Sequence, residues 1–133
     1  MSRITSVNGW VDVEEGRCII KSAGTGKWAP EDVEDLKESI LKLAKPFQGK
    51  RWAYIADPSK MDPILSKETS AAFVQLHVAL EEAGCKAIAF LDGNTAAMKL
   101  QSQKHQNNSD AKMEVLHFKT EAQALDWLKE MGI

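Results

Sequence analysis

Apolar and polar positions along the chain change their period several times, and each change marks a boundary. Val7-Asn8-Gly9-Trp10-Val11-Asp12-Val13 alternates after Asn8, Glu14-Glu15-Gly16 offers a turn, and Arg17-Cys18-Ile19-Ile20-Lys21 is more continuously apolar. This reads as a hairpin with one strand more buried than the other. Ser22 to Trp28 then reads as a loop, and Pro30 suits the first turn of a helix. In that helix, from about Pro30 to Pro46, Val33, Leu36, Ile40, Leu43, Ala44 and Phe47 recur at helical spacing. Glu31, Asp32, Glu34 and Asp35 crowd its start and Lys42 and Lys45 its end, the polarity the helix dipole favours.

Arg51 to Asp57 is a short apolar and aromatic run that stops at Asp57-Pro58, the pattern of a central strand. Ser66 is a fitting N-cap for a second helix whose core stripe is Ala72, Phe73, Leu76, Leu80 and Ala83, closed by Gly84. Cys85 to Leu91 forms the next strand and ends at Asp92-Gly93-Asn94-Thr95. A short helix is expected from Ala96 to about Gln103, and the polar stretch from Gln101 to Asp110 reads as solvated. Met113 to Phe118 is a last strand. Thr120 caps a final helix that buries Ala124, Leu125, Leu128 and Met131, with Trp127 at the rim of the sheet. The order is ββαβαβαβα, a single domain over residues 1–133. Helices between successive strands require crossovers, so the class is α/β with a mixed, mostly parallel sheet.

Trp28 and Pro30 before the first helix, Phe47-Gln48-Gly49-Lys50-Arg51-Trp52-Ala53 entering a strand, and Phe118 followed by Glu121-Ala122-Gln123-Ala124-Leu125-Asp126-Trp127-Leu128 sharpen this reading. Together they resemble the SpoIIAA-like (STAS-like) family of small bacterial proteins, over nearly the whole chain. The resemblance implies a STAS-like fold, a non-enzymatic role, and binding of proteins or of small apolar or anionic ligands. Better-known members of this fold are anti-sigma factor antagonists, switched by phosphorylation of a serine in an Asp-Ser-Ser-Gly type motif. Ser66 falls near that position, but Asp57 to Glu68 lacks the motif's preceding acid and following glycine. An N-cap role explains Ser66 completely, and is the favoured reading.

Ligands of open α/β sheets sit beyond the carboxyl ends of the strands, at helix N-termini. That places Asp57, Ser59, Ser66, Asp92, Asn94 and Thr95 as candidates for an anion or a partner's carboxylate; the simpler role for each is to end a strand or cap a helix. Trp28, in a loop, is either an exposed anchor beside the first helix or a lid on the core edge. Gly24-Thr25-Gly26-Lys27 is not a phosphate loop, because Lys21 and Trp28 stand where a glycine and a Ser or Thr are required. His77, His105 and His117 are scattered, no nucleophile elbow occurs, and Cys18 and Cys85 sit in apolar runs.

No catalytic site, metal site or cofactor is expected. The formal charge of −2 argues against nucleic acid, whose phosphates need a concentrated basic face. No apolar run is long enough to span a membrane and no signal peptide is visible, so the cytoplasm is the expected compartment. Two functions follow as expectations: a regulatory module that binds another protein or itself as a homodimer, and a carrier of a small apolar or anionic ligand in a pocket lined by Trp28 and the second helix.

Overall fold

The first strand pair of the sheet closes at Ser6 and Gly9, with Asn8 in the turn between them. There β1 (Ile4–Ser6) and β2 (Gly9–Val13) run antiparallel, with Ile4 opposite Val11. The computed structural model describes residues 3–6, 8–14, 16–62, 66–91 and 113–133. After β2 come β3 (Ile19–Gly26), α1 (Pro30–Ala44) with a 3-10 turn at Lys45–Phe47, and β4 (Trp52–Met61). They are followed by α2 (Lys67–Glu82), β5 (Cys85–Leu91), β6 (Glu114–Phe118) and α3 (Glu121–Glu130).

The six strands lie in one sheet in sequence order, β1-β2-β3-β4-β5-β6. The pairs β1–β2 and β2–β3 are antiparallel, and every later pair is parallel. From β3 to β5 the chain steps across the sheet in one direction. Right-handed crossovers therefore place α1 and α2 on the same face. On that face Ile20, Trp52, Tyr54, Ile88 and Phe90 pack with Val33, Ile40, Leu76 and Leu80 from the two helices. The opposite face of β4 and β5 presents Ala53, Ile55, Ala87 and Ala89, and α3 buries Ala124 and Leu128 against it. Large side chains thus lie under two helices and mostly small ones under the third.

Polar groups fix where these pieces meet. Asn8 donates its side-chain amide to Asp32 Oδ1 at 2.8 Å, tying the first hairpin to the start of α1. The other oxygen of Asp32 accepts the Ala29 amide at 2.8 Å and satisfies a helix-start donor. Arg17 donates to the carbonyls of Leu125 at 3.1 Å and Ile133 at 3.0 Å, anchoring α3. Burial lowers the affinity of Lys21 for its proton, but Glu14 at 2.6 Å and Glu121 at 3.5 Å outweigh it and raise its pKa. The Trp52 indole, fully buried, donates to the Ala83 carbonyl at the end of α2.

The structure corrects three element boundaries. An additional strand, β1, precedes the expected hairpin; at three residues it is too short to show a period. The expected loop from Ser22 is strand as far as Gly26, because β3 continues to pair with β4. The expected strand end at Asp57-Pro58 is internal to β4. Ala23 pairs with Asp57 but Thr25 with Lys60, so β4 carries one extra residue at this point. Such a bulge leaves a residue out of the ladder, which lets a strand accommodate a proline without an amide hydrogen. The expected short helix at 96–103 and the polar stretch at 101–110 lie outside the described residues.

Candidate functional site

Glycine at position 24 creates the slot that holds Trp28. A Cβ there would lie 2.7 Å from Met61 Sδ and 2.9 Å from Trp28 Cζ2. Trp28 is only 9% exposed, donates its indole N–H to the Thr25 carbonyl at 3.2 Å, and stacks on Phe73 of α2 at 6.1 Å. It covers the core edge, the second of the two roles open to it, and its ring fills the place where a pocket against α2 was expected.

The other candidates at this end of the sheet are held by local bonds. Asp57 Oδ1 accepts from the Ser59 amide at 3.1 Å and the Ser59 hydroxyl at 2.6 Å. Both residues lie in β4 rather than in a loop beyond it. Ser66 Oγ accepts the Thr69 amide at 3.2 Å and donates to Glu68 Oε2 at 2.9 Å. The Glu68 carboxyl is held below its ordinary pKa by its own backbone amide and then by Ser66. A carboxylate already occupies the start of α2, so a phosphate on Ser66 would face like charge. Asp92, Asn94 and Thr95 lie outside the described residues.

Buried groups with chemical potential sit under α2. Ser22 Oγ and the Tyr54 hydroxyl share a hydrogen bond, both residues being buried, and burial raises the phenol's pKa. Cys85 contacts the Ala87 carbonyl at 3.3 Å, and burial pushes its thiol up to about 12. A thiol in that state is not a nucleophile near neutral pH. Cys85 and the partly buried Cys18 are both free. His77 and His117, which the sequence left isolated, flank Phe90: the His77 ring meets it edge-on at 6.1 Å and the His117 ring stacks on it at 5.3 Å. Among the described residues no three His, Cys, Asp or Glu side chains gather as metal ligands, and no helix is long and apolar enough to cross a membrane.

A different surface brings an open backbone edge and apolar side chains together. Between α1 and the β1–β2 edge lies a groove lined by Ile4, Trp10, Val11 and Trp28 on one side and by Asp32, Asp35, Leu36 and Ser39 of the helix on the other. Its enclosed volume is about 20 Å³. That part holds roughly one water, too little to sequester a small molecule. The groove is a surface slot rather than a cavity. Of the residues the sequence singled out, Trp28 lines it. The available signal was the spacing 32, 35, 36 and 39 on α1, which places those residues on one helix face.

No family model matches the chain, and no curated protein matches it. Among solved structures it is similar to an uncharacterised protein of the DUF3478 family with a SpoIIAA-like fold, from Shewanella loihica PV-4. The TM-score is 0.69 at 16% identity, over 94% of this chain and 98% of that one. The fold is therefore SpoIIAA-like: a mixed, mostly parallel α/β sheet with helices on both faces.

Proposed function

We propose that the protein is a cytoplasmic, non-enzymatic binding module with a regulatory role, acting through contact with another protein. The observation that carries this reading is the groove between α1 and the β1–β2 edge, where the rim of the sheet and an apolar strip lie side by side. Supporting it, the side chains best suited to chemistry are otherwise engaged. Ser66 caps a helix, Asp57 holds Ser59, and Cys85 is buried and protonated. A carrier role has less support, since Trp28 fills its own slot and the groove has only water-sized enclosed space.

The test is affinity capture from the protein's own host, comparing the wild-type chain with Ser39→Arg, which fills the groove from a partly exposed position. The two chains should have the same circular dichroism and thermal midpoint. A protein retained by the wild type and lost from the variant supports the reading. Equal retention of every captured protein by both chains counts against it.

A further inference from the structure

Resting on that reading, we infer that the groove takes a cationic extended segment of a partner protein, added as a seventh strand on β1. Among the described residues β1 is the rim of the sheet and pairs with β2 alone. Successive residues of a strand turn their amide and carbonyl to alternate sides, so at least one of Ile4, Thr5 and Ser6 directs both groups away from β2. Such an edge is a template for strand addition, with side-chain specificity supplied by whatever stands beside it. Here that is α1. Asp32, Asp35, Leu36 and Ser39 share the face that lines the groove, a length of about 10 Å. An added strand rises about 3.3 Å per residue, so the helix can contact roughly three of its residues.

Charge selects the occupant. Between Pro30 and Ser39 the helix carries Glu31, Asp32, Glu34, Asp35 and Glu38 against Lys37 alone. Lys37 is paired with Glu34 at 2.9 Å, and both oxygens of Asp32 are held by Asn8 and Ala29. Asp35 is exposed, lines the groove, and has no ion-pair partner among the described residues. A lysine or arginine on the added strand would meet it. A second copy of this chain is a poor occupant. Antiparallel pairing of two β1 edges would place both α1 helices on the same face beside the seam, carboxylates toward carboxylates. An apolar residue of the incoming strand would lie over Ile4 and Leu36.

The experiment selects phage-displayed random nonapeptides on the immobilised full-length chain, then titrates synthetic copies of the enriched peptides into ¹⁵N-labelled protein. The expected peptides carry Lys or Arg between apolar residues and shift the amides of residues 4–6 and 35–39. The Asp35→Lys substitution should weaken them about fivefold, the scale of an exposed charge pair made repulsive. Peptides that shift the same amides with no basic residue and no loss in Asp35→Lys overturn the cationic assignment and leave protein binding standing. Peptides that shift only α3, or leave residues 4–6 unmoved, remove both. A concentration-dependent dimer that shifts the β1 amides without peptide replaces the foreign strand with a second copy.

Discussion

The buried Ser22–Tyr54 hydrogen bond offers a test of how the α1/α2 face of the sheet is held. It joins β3 to β4 beneath the helices, with both residues inside the core. Removing one partner leaves the other hydroxyl buried and unsatisfied, which costs about 1–3 kcal/mol. The two single variants should differ. In Tyr54→Phe the small Ser22 side chain retains rotamers that can reach a backbone carbonyl, so the cost is near 1 kcal/mol. In Ser22→Ala the rigid tyrosine keeps its hydroxyl among apolar atoms, and the cost is nearer 2–3 kcal/mol. The double variant removes both polar groups and should cost no more than Tyr54→Phe alone. The coupling is then about 2–3 kcal/mol. A chain this long loses about 3–4 °C of thermal midpoint per kcal/mol. Calorimetry at pH 7 should therefore show falls of about 3–4 °C and about 6–12 °C for the singles, and about 4 °C or less for the double. Single effects that add to within about 0.5 kcal/mol would refute the shared bond.

Alkaline pH should destabilise the fold through Cys85 and Tyr54, whose pKa values burial raises above their unfolded values. Each contributes stability that is fully present below its unfolded pKa and is lost as pH rises through the folded one. For Cys85 the window runs from 9.0 to about 12. Denaturation midpoints measured between pH 8 and 11 should fall, and Cys85→Ala should flatten the slope by up to about 1.4 kcal/mol per pH unit. Gly9→Ala should cost about 3 kcal/mol, read by urea unfolding, because its Cβ would stand 2.0 Å from the Ala23 carbonyl oxygen at a φ of +155°. Arg17→Ala should cost about 1–2 kcal/mol and speed amide exchange in α3 more than in α2, since it cuts the bonds to Leu125 and Ile133.

The α/β class was legible in the sequence because long amphipathic segments alternate with apolar runs. α1 began at Pro30 and α2 after its Ser66 cap, as their residues indicated. Strand ends were harder to read, for identifiable reasons. Ser22, Gly24 and Thr25 have the composition of a loop, yet backbone pairing to β4 keeps them in strand. Pro58 normally ends a strand, and only a bulge opposite Gly24, which no local pattern announces, lets β4 continue. Of the groove's lining the sequence singled out Trp28 alone, because the rest depends on two segments far apart in sequence, Ile4–Ser6 and the Asp32–Ser39 face of α1. Their meeting follows from sheet order, and neither segment signals it alone. Trp28 had two roles open to it, and the small size of Gly24 decides between them.

The most direct test of the protein-binding account is hydrogen exchange on the chain in complex with a partner that Ser39→Arg fails to retain. The account requires slowed exchange at residues 4–6 and along 32–39 of α1, with α3 at 121–130 unchanged. Protection confined to α3, or found nowhere along β1 and α1, would contradict it.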